Sequence, residues 1–254
     1  MDRKTNILGV DFQNNSQDDV KKIISESIKN GRILSIFTPN PEILKKAQQD
    51  QNLLSILNSA ELLLPDGIGV ILASRILGNP LRERITGIDT GEYLLSVAEK
   101  SALKVFLLGA REGVADKAKK DLEKRFPSLL VCGTHHGYFD KQGKENEAVL
   151  KEINQASPDI LIVCFGCPSQ EQWIYKNRPS LPSVRIFIGL GGAIDVWSGN
   201  LKRAPIFIRK LCLEWLWRAL LQPSRISSLL HIPSFILLIL RQKLSKEEKQ
   251  YNRY

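Results

Sequence analysis

Six short apolar runs, each followed at once by a polar or glycine-rich cluster, constrain this chain more than any other feature: Ile33–Thr38, Glu61–Leu64, Lys104–Leu108, Leu129–Gly133, Ile160–Phe165 and Arg185–Ile188. The clearest reads Ile-Leu-Ile-Val-Cys-Phe without a polar interruption, as expected of a parallel strand covered on both faces. Helix-length segments separate the runs: Pro41–Ser59, Gly67–Leu77, Asp89–Ser101, Arg111–Phe126, Lys144–Ala156 and Ser169–Arg178. Pro41 suits a first helical turn, where a missing N–H costs nothing. Such alternation predicts an α/β fold with a doubly wound, mostly parallel, Rossmann-like sheet. A strand pair around Ile7–Phe12 is expected to precede it.

The clusters that close the strands carry the functional signal. They are Thr38-Pro39-Asn40, Pro65-Asp66-Gly67, Gly109-Ala110-Arg111, His135-His136-Gly137-Tyr138, Gly166-Cys167-Pro168 and Gly189 to Gly192. Open parallel sheets bind ligands beyond the carboxyl ends of their strands. Glycines there allow close backbone approach, and helix N-termini favour anions, so a nucleotide diphosphate is the natural guest. No Gly-x-Gly-x-x-Gly follows the first strand and no Gly-Lys-Ser/Thr occurs, which disfavours dinucleotide and P-loop chemistry. Asp66 suits either a helix cap or a general base. Thr38 and Asn40 suit either turn chemistry or ligand contact. Arg84 is either a solvated charge or a clamp for paired phosphate oxygens. His135 and His136 are adjacent, so in a strand they point to opposite faces and chelate one ion poorly; no metal site is expected.

Charge divides the chain. Residues 1–195 hold 25 basic and 24 acidic side chains, whereas 196–254 hold eleven Lys/Arg against three Glu, net +8 of the total +9. A basic, apolar end segment of this kind calls for an anionic partner, a membrane or a nucleic acid. Its longest apolar stretch, Ile226 to Leu240, is broken by His231 and Pro233 and spans ~22 Å as a helix, short of the ~30 Å of a bilayer core. It is expected to lie on a membrane surface. The N-terminus has no secretory apolar region, so the chain is expected in the cytoplasm. Cys132, Cys164, Cys167 and Cys212 form no disulfide or zinc pattern.

Taken in order, the clusters resemble the WecG/TagA/CpsF glycosyltransferases (glycosyltransferase family 26). The resemblance rests on Thr38-Pro39-Asn40-Pro41-Glu42, Pro65-Asp66-Gly67, Glu83-Arg84-Ile85-Thr86-Gly87 with Asp89, Leu108-Gly109 and Gly133 to Phe139. It continues through Gly166 to Trp173, Gly189 to Gly192 with Asp195, Lys202-Arg203-Ala204-Pro205 and Leu213-Glu214-Trp215. Ala193-Ile194 stand where the family more usually has a bulky aromatic pair. Membership implies an inverting, metal-independent hexosyltransferase without a cofactor. It would move a sugar, N-acetylmannosamine in the best-known activity, from a UDP-sugar to polyprenyl-diphosphate-linked N-acetylglucosamine. The products serve teichoic acid or other surface polysaccharides at the cytoplasmic face of the cell membrane.

Carried over residue by residue, the resemblance makes Asp66 the general base, with Thr38 and Arg84 beside it as catalytic groups. Substrate contacts fall to Asn40, Gly67, Gly109, Tyr138, Gly166, Gln170, Gly191, Gly192, Asp195, Arg203, Arg218 and Arg225. Glu171 is expected to complement its helix dipole and Trp173 to pack in the core. The division expected is 1–195, a UDP-sugar-binding catalytic domain, and 196–254, a basic, amphipathic helical membrane-docking appendage. There Lys202, Arg203, Arg209, Lys210, Arg218, Arg225 and Arg241 are candidate lipid-phosphate contacts, and Trp215, Trp217 and Phe235 interface anchors. A homo-oligomer is expected. The competing reading is a nucleic-acid-binding α/β protein that uses the same basic tail; an oxidoreductase is disfavoured by the missing dinucleotide fingerprint. Sedimentation with anionic vesicles, together with indifference to RNA and DNA, is the outcome expected of a membrane-docking tail. Salt-sensitive nucleic-acid binding would instead favour the competing reading.

Overall fold

Leu8 and Gly9 both take positive φ, 50° and 79°, which suits a two-residue hairpin turn matched to the right-handed strand twist. The turn folds β1 (Lys4–Ile7) onto β2 (Val10–Gln13) with Ile7 opposite Val10. The computed structural model that contains this hairpin describes residues 4–210, 214, 216–217 and 231–251. Next comes α1 (Gln17–Asn30), started by a reciprocal cap between Ser16 and Asp19 and stopped by Gly31 at φ 63°. The expected helices omit it, although Ser-x-x-Asp and a trailing glycine are its start and stop signals.

Six parallel strands follow: β3 (Leu34–Phe37), β4 (Leu62–Leu63), β5 (Lys104–Gly109), β6 (Leu130–His135), β7 (Ile160–Cys164) and β8 (Ile186–Gly189), in spatial order β4-β3-β8-β7-β5-β6. Period-two alternation serves two cores at once. Phe106, Leu108, Leu161 and Val163 join one core, and Val105, Leu107, Ile160 and Ile162 the other. On the first face lie the hairpin, α2 (Pro41–Ala47), α3 (Gln51–Asn58), α4 (Ile68–Ile76), α7 (Gly143–Ala156) and α8 (Ser169–Asn177). On the second lie α1, α5 (Gly87–Lys100), α6 (Val114–Arg125) and α9 (Ala193–Trp197). The doubly wound α/β sheet expected from the alternation is present. One expected helix, 41–59, is two, because the Asp50 carboxylate accepts from Leu53 N at 3.0 Å and starts α3 afresh.

Crossover handedness explains where a ligand fits. From β5 the chain steps outward to β6 through α6 on the second face; from β7 it steps the other way to β8 through α8 on the first. Opposite directions with one hand require opposite faces. The loops after β5 and β7 therefore diverge and leave a crevice between the two carboxyl ends, the switch point of the sheet.

After α10 (Ile206–Lys210), the last described helix is α11 (His231–Tyr251). Phe235 and Ile239, one turn apart, are buried in the first core, where α11 meets α2 and α4. Gln242 Oε1 accepts from Leu8 N at 2.9 Å, its Nε2 donates to Asn6 O at 3.2 Å, and Lys45 Nζ donates to Ser234 Oγ at 2.7 Å. Phe235 is thus a core residue, not the interface anchor expected; its i,i+4 partner Ile239 turns that face inward. Leu237, Leu240 and Leu244 stay exposed. Among the described residues no helix is long and apolar enough to cross a membrane. Arg218, Arg225, Trp215 and Cys212 lie outside the described residues, as does the side chain of Lys210. Phe235→Ala is expected to cost about 3–5 kcal/mol in denaturant melts and to speed hydrogen exchange across α11. Leu237→Ala, on the exposed side, is expected to stay within about 0.5 kcal/mol of wild type.

Candidate active site

Asp66 leaves the end of β4, but it does not cap the helix that follows. Gly67, at φ 96°, holds the cap position of α4 with no side-chain bond. Asp66 Oδ2 instead accepts from Gly87 N at 3.3 Å, at the start of α5, where the helix dipole favours an anion. Ile85 N donates to Pro65 O at 3.2 Å. These two bonds draw the loop that carries Arg84 alongside Asp66, so the two residues belong to one cluster. Arg84 is half-buried with no hydrogen-bond or ion-pair partner among the described residues.

Thr38, just past β3, closes the cluster from the other side. Its Oγ1 donates to Gly189 O at 3.3 Å, and a Cβ on Gly87 would stand 2.9 Å from Thr38 Cγ2 and 3.1 Å from Leu190 Cδ2. Only glycine at 87 lets the start of α5 approach β3 and β8 this closely. Asn40 spends its Oδ1 on the cap of α2, accepting from Glu42 N at 3.0 Å and Ile43 N at 3.1 Å.

Arg203 behaves differently from the phosphate ligand expected. Its Nη2 donates to Asp89 Oδ1 at 2.6 Å, and its Nε lies 3.9 Å from Glu214 Oε1. Two carboxylates occupy it. Asp89 also accepts from Thr86 Oγ1 at 2.5 Å. Burial pushes the Asp89 carboxyl up, but the Thr86 hydroxyl and the Arg203 guanidinium outweigh it and hold the group below its ordinary range.

The switch-point crevice holds a cavity of about 610 Å³, within the ~300–1,000 Å³ usual for small-molecule sites. Ala110 lines it after β5, Gly137 to Phe139 and Lys141 after β6, Cys164 to Gly166 and Ser169 after β7, and Gly191, Gly192 and Asp195 after β8. Tyr138, Gly166, Gly191, Gly192 and Asp195 are therefore brought together. Gly109 stands behind them: its φ is 147°, and a Cβ would meet Cys164 O at 2.5 Å, so it sets how closely β5 and β7 approach.

Lys141 was not among the expected site residues, yet it is the cation of the lining. Its Nζ donates to Gly137 O at 2.8 Å and stands 4.5 Å from the Phe165 ring centroid and 4.9 Å from that of Phe139. Burial lowers its pKa, against the pull of Asp140, while the ring faces favour the cation. The available sequence signal was a basic residue in the loop after β6, at the rim where anions bind.

Gln170 and Glu171 lie behind the cavity wall. Gln170 is buried, with its Oε1 accepting from Gly191 N at 2.9 Å and its Nε2 donating to Glu171 Oε1 at 2.8 Å. Glu171 is buried too, and burial pushes its carboxyl up to about 7; it lies in the first turn of α8, the place expected for a helix-dipole partner. Trp173 is in the core as expected, its Nε1 donating to Asn146 Oδ1 at 2.7 Å. His135 and His136 are not on opposite faces, because β6 ends between them; their ring centroids lie 4.5 Å apart. Among the described residues no group of three or more His, Cys, Asp or Glu could hold a metal ion.

Comparison with known proteins adds to this geometry. The model of the Glycosyl transferase WecG/TagA/CpsF family matches residues 5–249. An N-acetylglucosaminyldiphosphoundecaprenol N-acetyl-beta-D-mannosaminyltransferase of Staphylococcus aureus (strain MRSA252) is 38% identical over 244 residues, 94% of this chain and 93% of the relative. Relatives with the same name from strains COL and N315 match with the same identity and coverage.

Asp89 yields a test of the carboxylate–arginine contact. A carboxyl held low in the fold contributes stability above its unfolded pKa of ~4 and loses that contribution as pH falls through the folded value. Asp89→Asn is expected to melt below wild type at pH 7, with the gap closing as pH falls below the unfolded Asp value of ~3.9; thermal melts across that range check it.

Proposed function

The chain belongs to the WecG/TagA/CpsF glycosyltransferase family, and from that premise we propose that it transfers N-acetylmannosamine from its UDP-sugar to undecaprenyl-diphosphate-linked N-acetylglucosamine. The relatives' printed name supplies the acceptor and the β-linked sugar. A β product from an α-linked nucleotide donor calls for inversion by direct displacement. The observation that carries the reading is a shared wall: the Gly189–Gly192 segment lines the cavity and, through Thr38, touches the Asp66 cluster. Donor and acceptor would then meet across it.

In that arrangement the nucleotide diphosphate lies in the cavity beside Lys141, and the acceptor hydroxyl faces Asp66. Asp66 takes the hydroxyl proton as oxygen attacks the anomeric carbon, and UDP departs from the opposite side. Lys141 offsets the charge that builds on the leaving diphosphate. Arg84, without a protein partner among the described residues, suits the acceptor's diphosphate, which a guanidinium can grip through two oxygens. Residues 196–254, with net charge +8, would dock the enzyme on an anionic cytoplasmic membrane face, at ~1 kcal/mol for each basic side chain near the surface.

Asp66→Asn is expected to lower kcat about 10²–10⁴-fold with UDP affinity unchanged; turnover at the wild-type rate would overturn the assignment. Lys141→Met is expected to weaken UDP binding about tenfold and to leave uridine binding as it was, measured by calorimetric titration.

A further inference from the structure

Glu171 takes no part in the chemistry above, yet it sits in the first turn of α8 with 1% of its surface exposed, a costly place for a carboxylate. Its Oε1 accepts from Gln170 Nε2 at 2.8 Å; its Oε2 has no hydrogen-bond partner among the described residues. Gln170 passes the contact on, its Oε1 accepting from Gly191 N at 2.9 Å. A Cβ on Gly189 would stand 2.8 Å from Gln170 Nε2, so the amide packs flush against the end of β8. Gly191 and Gly192 line the cavity, and the Gly189 carbonyl accepts from Thr38. One amide thus braces the segment that separates the cavity from the Asp66 cluster.

The two ends of that amide are not equivalent. Turned over, Gln170 would face the Gly191 N–H with its own NH₂, donor against donor. An ionised carboxylate only accepts, so Glu171 admits the amide in one orientation and rejects the other. We propose that Glu171 is a positioning residue of the donor site, locking the Gln170 amide in the orientation that pins the Gly189–Gly192 segment to the cavity wall. The inference rests on reading that cavity as the nucleotide-sugar site.

The ionisation of Glu171 bears on how firmly the lock holds. Burial pushes its carboxyl up to about 7, opposed first by the Gln170 amide, then by its own backbone N–H and by Lys46 of α2. Lys46 also pairs with Glu42 at 2.8 Å, and the neighbouring thiol of Cys167 is pushed up to about 12 by burial. The ionised form is the stronger acceptor, so the lock tightens as pH rises through about 7. Stability runs the other way. A folded pKa above the model value of 4.5 means that folding loses stability as pH rises from ~4.5 to ~7.

The test uses the full chain, with UDP as the probe. At pH 8, Glu171→Gln and Glu171→Met are each expected to bind UDP about tenfold more weakly than wild type. Glu171→Gln is expected to melt at or above the wild-type temperature at that pH, since a buried charge is gone. The ratio of wild-type to Glu171→Gln affinity is expected to grow as pH rises through about 7, a comparison in which UDP's own titration cancels. In steady state the donor KM rises and the acceptor KM does not. Wild-type UDP affinity in both variants overturns the inference, as does a fall in kcat alone with donor KM unchanged. Wild-type protein that does not bind UDP overturns the nucleotide-site reading instead.

Discussion

The carboxyl ends of β5 and β7 part because one crossover hand sends α6 and α8 to opposite faces of the sheet. The rest of the site uses that opening. Gly109 brings the two strand ends to within backbone contact, where a Cβ would collide with Cys164 O at 2.5 Å. The Gly137 turn then closes over both, its N–H donating to Ala110 O at 2.8 Å. The cavity is what remains once these backbones are as close as they can be. Its shape therefore follows from topology and glycine placement, and its chemistry from the few side chains that reach the rim.

The sheet was legible because its central strands are buried on both faces and announce themselves as nearly uninterrupted apolar runs. Ile160 to Cys164 is the plainest case. Helix boundaries were less legible. Polar residues such as Ser16 and Asp50 act through a few local capping bonds, and a pattern of apolar spacing passes over them. The site divides along a similar line. Strand-end position sufficed to collect Asp66, Thr38, Gly166 and Gly191 at one rim. It could not say which way a polar side chain turns once there. Arg203 found two carboxylates, and Gln170 turned inward to a backbone N–H and to Glu171. Lys141 went unnoticed because its surroundings, two phenyl rings and a carbonyl, come from the ends of two different strands.

Arg203 also connects the charge-rich end of the chain to the rim that carries Asp66. Asp89 lies in the first turn of α5, three residues after the Thr86 cap and two after Gly87, whose N–H meets Asp66. The arginine that neutralises Asp89 belongs to the segment after α9, and Glu214 beyond it is buried beside the same guanidinium. Removing one member of such a group leaves the others uncompensated. The contacts of Arg203 and Glu214 thus bear on the geometry of the helix end that holds Asp66. On the opposite flank α11 is tied to the hairpin through Gln242 and to α2 through Lys45. Among the described residues, the basic end segment is therefore anchored to the body at two separate places.

On the proposed reading of the cavity, a diphosphate site has to hold positive charge in readiness without collapsing onto it. Lys141 meets that need by leaning on the ring faces of Phe139 and Phe165 and on the carbonyl of Gly137. These partners favour the cation but carry no full negative charge. A carboxylate partner, as Arg203 has in Asp89, would already have satisfied it, and a phosphate would then compete against an ion pair. Burial draws down the Lys141 pKa against the pull of Asp140, so an arriving dianion gains by pairing with an ammonium that has already lost part of its hydration. That difference in partners, rings for Lys141 and carboxylates for Arg203, is why the one suits ligand binding and the other suits bracing, although both are cations at the same rim of the sheet.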